Sequence, residues 1–281
     1  MLALLLALLA PSQAAPLQLC FDDAHHNVHS AAHGYAPFAD LARQEGFRIE
    51  TVAEPWNAAT LARCDLLVVV SPRGAGREAT LRERAAPAFT EPEVAALAEW
   101  LGAGHGLLLI TDHAPIGAAT RPLAARLGID MSNGFVEDAE HAAAGGMLVF
   151  SRQNGLLNSH PITDGRGKAY RVDRIAGFLG QSLAGPPGSV SLLTFGSGAR
   201  DRYRASTDRL WLDPSPQDLL RPAGGRSQAI AFAFGGGRVV ALGDAAMLTS
   251  LGPGSESGLD LAGFDNARFA ANILRWLARR L

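Results

Sequence analysis

Two short runs constrain the fold more than anything else in the chain. Leu66 to Val70 reads Leu-Leu-Val-Val-Val, and Gly106 to Ile110 reads Gly-Leu-Leu-Leu-Ile. A strand with no polar face is one covered on both sides, and such strands belong to parallel sheets packed between helices. Their neighbours alternate accordingly. Leu17 to Phe21 is a short apolar run, Pro37 to Glu45 is helical and closed by Gly46, Phe47 to Val52 alternates like a strand, and Asn57 to Arg63 is a short helix. Thr90-Glu91-Pro92-Glu93 is a capping box with proline in the first turn. The helix it opens places Val94, Leu97, Ala98 and Leu101 on one face, and Ala118 to Leu127 repeats the pattern after the next strand. This βαβαβ rhythm predicts an α/β fold with a doubly wound, mostly parallel sheet.

The second half is richer in strands. Met147 to Ser151 and Val190 to Phe195 are candidates, and Ser227 to Phe234 and Arg238 to Leu242 flank Gly235-Gly236-Gly237 as an antiparallel C-terminal hairpin. Leu248 to Gly263 reads as a mobile loop, and Asp265 can cap a last helix burying Phe269, Ile273, Leu274 and Leu277. With no internal repeat and no linker, residues 16–281 are expected to form one domain.

Residues 1–10 are nearly pure Leu and Ala, and Ser12-Gln13-Ala14 offers a small-x-small cleavage site. Residues 1–14 therefore read as a signal peptide, which predicts a periplasmic or secreted protein. The apolar run is too short to span a bilayer, and no second one approaches about 20 residues, so no membrane span is expected. Cys20 and Cys64 are expected to remain unpaired thiols, because the first lies near the carboxyl end of one strand and the second precedes the amino end of another. A formal net charge of -2 over 281 residues gives no basic stripe for nucleic acid. All but one of the 25 basic residues are arginine, Lys168 being the exception, which looks like compositional bias and gives single arginines little weight.

Ligands of open α/β sheets bind outside the carboxyl ends of the parallel strands. Five of the eight histidines fall in two loops at such ends. The first loop carries Asp22, Asp23, His25, His26, Asn27, His29 and His33; were Ala24 to His33 helical, His25, His29 and His33 would share a face. Carboxylate and imidazole at that spacing suit zinc, manganese or iron, with Asp22, His25 and His29 as ligands. The same loop also reads as a polar turn whose side chains satisfy its own backbone. The second loop carries Asp112-His113 at a strand-to-helix turn, where an aspartate can orient a histidine for acid–base work; Asp112 as a plain helix cap is the competing reading. Ser71, Pro72 and Arg73 follow the third strand, and Asp244 ends the hairpin. Gln181 offers an amide to a ligand or to the core. No Gly-x-Ser-x-Gly or Gly-x-Cys-x-Gly elbow, phosphate loop or dinucleotide fingerprint is present.

Several motifs recur together: Phe21-Asp22-Asp23-Ala24-His25 with Asn27 and His29, Tyr35-x-Pro37-Phe38-Ala39-Asp40-Leu41, Phe89-Thr90-x-x-Glu93, Asp112-His113, Asn133-Gly134-Phe135, Phe178-x-Gly180-Gln181, Gly243-Asp244 and Asp265-Asn266. In these the chain resembles an exported bacterial branch of the class I glutamine amidotransferase-like superfamily with no assigned activity. The resemblance implies a flavodoxin-like sheet with its site at the strand carboxyl ends. Amidotransferases of that superfamily carry a nucleophilic cysteine at the elbow; here the comparable turn holds Asp112-His113, so glutamine hydrolysis is not expected. The expectation is an exported hydrolase-like enzyme. Asp112, His113 and Asp23 would be catalytic, and Asp22, His25 and His29 would hold a divalent ion, zinc or manganese. Asn27, Asn133, Gln181 and Asp244 would contact a small-molecule or saccharide ligand. The alternatives are a non-catalytic module binding a sugar or cell-wall fragment with the same pocket, and a scaffold whose polar cluster is structural.

Overall fold

The computed structural model describes residues 15–143, 146–203, 218–250 and 258–281. The expected signal peptide and residues 251–257 of the glycine-rich loop lie outside them. The strands are β1 (Gln18–Asp22), β2 (Arg48–Val52), β3 (Leu66–Val70), β4 (Gly106–Ile110), β5 (Asp130–Met131), β6 (Phe135–Glu137), β7 (Leu148–Ser151), β8 (Arg174–Gly177), β9 (Leu183–Ala184), β10 (Val190–Thr194), β11 (Arg200–Tyr203), β12 (Leu219–Pro222), β13 (Ser227–Phe234) and β14 (Gly237–Leu242). The helices are α1 (Ala36–Gln44), α2 (Ala58–Leu61), α3 (Leu81–Arg84), α4 (Glu91–Gly102), α5 (Ile116–Arg126), α6 (Pro161–Asp164) and α7 (Asn266–Leu277).

Nine strands form the main sheet, in the order β2-β1-β3-β4-β14-β13-β9-β5 with β10 also paired to β13. From β2 to β14 the pairing is parallel; from β14 outward it is antiparallel. The fold is thus α/β and flavodoxin-like, and the glycine-centred hairpin is β13–β14. β12, β11 and β6 form a small second sheet, and β7 and β8 pair as a ribbon. Among the described residues no helix is long and apolar enough to cross a membrane.

The two-faced apolar strands explain the layers. Leu19, Phe21, Val68, Val70, Leu108 and Ile110 face one side and pack with Phe38 of α1 and Phe269, Ile273 and Leu274 of α7. The alternate residues Leu67, Val69, Leu107 and Leu109 face the other side and meet Leu61 of α2, Leu97 and Leu101 of α4, and Leu123 of α5. Each such fully buried side chain contributes about 1.5–3 kcal/mol. The Thr90 capping box forms, with Glu93 returning to the Thr90 backbone.

Two sequence expectations fail here. Cys20 and Cys64 are joined in a disulfide, with Cα atoms 5.7 Å apart. Cys20 is not at the end of β1 but in its middle, opposite Leu67 of β3. Cys64 does precede β3, but it leaves the sheet plane: it follows α2, its N–H donates to the Leu61 carbonyl at 3.0 Å, and it packs in the same apolar cluster as Cys20. Distance along the strand therefore did not measure their separation, which runs across the face of the sheet. Nor is the segment from Ala24 to His33 helical. It is a chain of turns, so His25, His29 and His33 share no helix face.

Candidate functional site

The loop after β1 does not run beside β4 through adjacent strands, since β3 lies between them. It crosses the carboxyl end of β3 instead. The Val28 N–H donates to the Ser71 carbonyl at 3.0 Å and the Arg73 N–H to the His25 carbonyl at 2.9 Å; Ser71 in turn donates to Ile110 of β4 at 2.8 Å. This crossing strains the backbone. His26 (φ 48°), Ser71 (φ 50°) and Asn133 (φ 54°) all sit in the left-handed region at this edge of the sheet. For residues with a Cβ that costs energy, and such strain gathers at functional sites. Buried polar atoms without partners collect here as well: Asn27 Oδ1, Ser71 Oγ and Asn133 Oδ1.

The structure separates the predicted residues into two groups. His25 is buried, with Nδ1 at 2.8 Å from Asp22 Oδ1 and Nε2 at 3.0 Å from Glu93 Oε1. Asp22 also accepts from Asn27 Nδ2 at 2.7 Å and from Trp56 Nε1 at 3.1 Å. The imidazole is flanked by Trp56 and Phe89, each 4.5 Å away between centroids. Burial pushes the His25 pKa down, but hydrogen bonds and charges from Asp22 and Glu93 leave it raised overall. An imidazole donating from both nitrogens to carboxylates has no lone pair left for a metal. His29 lies away from this group, and among the described residues no three His, Cys, Asp or Glu side chains gather to hold an ion. Asp22, His25 and His29 are thus not brought together as a ligand set. Asp23 is exposed, and its N–H extends the β1–β2 ladder to the Val52 carbonyl at 2.8 Å.

The second group surrounds a pocket of about 250 Å³ lined by Asp112, His113, Phe178, Leu179, Asp244 and Ala246, together with Gly146. β4 ends two residues before Asp112, and β14 ends two residues before Asp244. Because β4 and β14 are adjacent and parallel, both aspartates leave the sheet at the same edge. The His113 ring stacks on Phe135 at 4.1 Å and 19°. Its Nδ1 is 2.7 Å from the Ala114 carbonyl, an acceptor only, so Nδ1 carries the proton. Nε2 then keeps its lone pair and lies 3.7 Å from Asp112 Oδ1, too far to be consumed.

Asp244 is 1 % exposed. It accepts from the Phe178 N–H at 2.6 Å and from the Ala246 N–H at 2.8 Å. Burial and the charge of Asp112 nevertheless push its pKa up to about 8. Gln181 is buried beneath the pocket. Its amide nitrogen donates to the Asp112 carbonyl at 2.7 Å and its oxygen accepts from the Asn133 N–H at 2.7 Å. Gln181 thereby holds the Asp112 turn in place, while Asn133 takes part through its backbone N–H and its side-chain Oδ1 stays without a partner. Tyr35 ties the histidine loop after β1 to the loop after β14: its hydroxyl donates to the Ala245 carbonyl at 2.7 Å, and its ring lies 5.5 Å from that of His29. Burial lowers the His29 pKa; the charge of Asp112 opposes this and Arg73 adds to it. Gly34, at φ 73°, lies against His29, where a Cβ would clash with Nδ1.

Of the expected residues, Asp112, His113 and Asp244 share the pocket, His29 approaches it, and Asp22, His25 and Asn27 form a separate knot. The sequence reading missed Glu93, Trp56, Phe135, Phe178 and Tyr35. All of these but Trp56 stand in the quoted motifs, but nothing in their spacing reveals that they meet residues far away in the chain.

No protein-family model matches the chain, and no curated protein does. Solved structures do resemble it. The mmIFT52 N-terminal domain is 16% identical, with 93% of this chain and 97% of that one covered at a TM-score of 0.62. A cytoplasmic protein from Salmonella typhimurium LT2 is 16% identical, with 92% and 98% covered at 0.55. A ThuA-like protein from Bacteroides uniformis is 12% identical, with 96% and 95% covered at 0.50. At these identities the likeness concerns the fold alone, which is the flavodoxin-like architecture described above.

Proposed function

We propose that the chain is an exported hydrolase-like enzyme whose acid–base chemistry is done by Asp112, His113 and Asp244 on a small-molecule or saccharide substrate. One observation carries this reading: a buried carboxyl with its pKa near 8 lines the same pocket as a second carboxylate and a histidine with a free Nε2. At neutral pH Asp244 holds a proton that it can lend, and the lone pair left on His113 Nε2 is placed to accept one. His113 would draw a proton from water or from a substrate hydroxyl, with Asp112 stabilising the imidazolium and Asp244 protonating the leaving group. Asp22 and His25, bonded to each other and His25 also to Glu93, take no part in this step.

Export is supported by the leader pattern of residues 1–14 and by the disulfide, since disulfides persist in oxidising compartments. The test is hydrolysis of a panel of chromogenic glycosides and esters by wild type, His113→Ala and Asp112→Asn. The expected result is turnover of at least one substrate, lost by about 10²-fold or more in either variant. Turnover that survives both changes, or a ligand bound at the pocket with no turnover across the panel, rejects the enzyme reading; the latter favours the binding module.

A further inference from the structure

The loop after β3 and the short helix α3 carry four arginines, which the acid–base chemistry leaves unused; Arg82 is exposed, and Arg73, Arg77 and Arg84 act on one another. Their placement is tied to the site. Arg73 is pinned to the histidine loop twice, through its N–H to the His25 carbonyl and through Nε to the His26 carbonyl at 2.8 Å. The Gly74 N–H donates to the Arg84 carbonyl at 3.0 Å. A Cβ at Gly74 would strike the backbone of Glu83 and Ala86, so this loop and α3 are pressed together. Arg73 and Arg84 are half-buried, and Arg77 is exposed.

None of the three takes part in an ion pair among the described residues. Glu83, beside Arg84, accepts from the Thr80 N–H and hydroxyl through one carboxylate oxygen, both at 2.8 Å, and neither it nor Glu78 forms an ion pair with these arginines among the described residues. Arg84 Nε is buried with no hydrogen-bond partner. Burial and the charges of Arg84 and Arg77 lower the Arg73 pKa, so the guanidinium groups act on one another. Like charges gathered around an orphaned donor, with neither neighbouring acid paired to them, lack an anion. The guanidinium fork matches the paired oxygens of carboxylate and phosphate. Arg73 and Asp112 follow the carboxyl ends of two adjacent parallel strands, β3 and β4, where the Ser71 N–H donates to the Ile110 carbonyl at 2.8 Å, so the arginine loop leaves the sheet beside the pocket.

We propose that Arg73, Arg77 and Arg84 form the anion-recognition wall of this site, and that its ligand is a small molecule bearing a carboxylate or phosphate beside the group that enters the Asp112–Asp244 pocket. The proposal rests on the reading of that pocket as the functional site. Uronic acids and phosphorylated sugars both present such oxygens on a body the size of the pocket.

The experiment titrates the full chain, at fixed ionic strength, with glucuronate, glucose 6-phosphate and uncharged glucose. Calorimetry reads affinity, and the His113 ring resonances read the pocket. One of the two anions should bind about tenfold or more tighter than glucose, as one charge-assisted pair would give. Preference for glucuronate assigns the carboxylate, and preference for glucose 6-phosphate the phosphate. The Arg73→Gln/Arg84→Gln variant should lose the preference, and the exposed change Arg77→Gln, which leaves the fold intact, should weaken it. No preference in wild type, or a preference that survives all three changes, overturns the anion wall; if glucose alone then shifts His113, the pocket reading stands without it. An anion that binds through the arginines but leaves His113 unmoved overturns the shared site and the pocket reading with it.

Discussion

His25 and His113 each follow a buried strand of the same sheet, and each has an aspartate close in sequence. They are nevertheless opposite in kind. Both nitrogens of His25 are committed to carboxylates, and its ring is walled by Trp56 and Phe89. His113 spends one nitrogen on its neighbour's carbonyl and keeps the other free at a pocket. The contrast teaches that residue type and strand-end position do not tell a knot from a site. What tells them apart is the hydrogen-bond accounting. An imidazole with both nitrogens bonded to carboxylates is locked in its network, whereas a raised carboxyl pKa and a free lone pair remain available for chemistry.

The comparison can be broken most forcefully at the knot. His25→Ala leaves Asp22 and Glu93 buried without their shared cation and should cost about 3–5 kcal/mol of stability in denaturant unfolding. Leu109→Ala, in the fully buried β4, should cost about 2–5 kcal/mol through its cavity, with no specific effect on the pocket. Reducing the Cys20–Cys64 bridge, which spans 44 residues of sequence, should cost roughly 2–5 kcal/mol in the same assay. At the pocket, His113→Ala should change stability by under about 1 kcal/mol while removing activity. If His113→Ala destabilises as much as His25→Ala, the two regions are not different in kind.

The pH dependence of stability sharpens the same contrast. The His25 pKa is raised in the folded state, so its contribution is complete below the unfolded imidazole value and is lost as pH rises through the folded one. The Asp244 pKa is also raised, and the folded chain keeps a proton that the unfolded chain has released. Stability should therefore fall as pH rises from the ordinary carboxyl value of about 4 toward about 8. Asp244→Asn should flatten that slope from about pH 4 upward, whereas His25→Ala should leave it in place below about pH 6.5 and flatten only the part above.

Much of the fold was legible because strands without a polar face have few alternatives: β3 and β4 could only be central and parallel, and the glycine-centred hairpin could only be antiparallel. The Thr90 capping box and the placement of Asp112, His113 and Asp244 at strand ends followed from local pattern and topology. The disulfide was not legible, because the offset of Cys64 across the sheet face depends on how α2 settles onto β1 and β3. The fate of His25 depended on Glu93, 68 residues away, which local spacing reads only as half of a capping box. Arg73, Arg77 and Arg84 were hidden by a composition so rich in arginine that no single one stands out, and only the lack of counterions around them marks the cluster.

The central claim is that Asp244 is a proton-holding carboxyl coupled to Asp112, and the most direct test is a carbon-13 NMR titration of the Asp244 carboxyl in wild type and in Asp112→Asn. The account predicts a midpoint near 8 in wild type, falling when the charge of Asp112 is removed. A midpoint in the ordinary aspartate range of about 4, unmoved by Asp112→Asn, would contradict it.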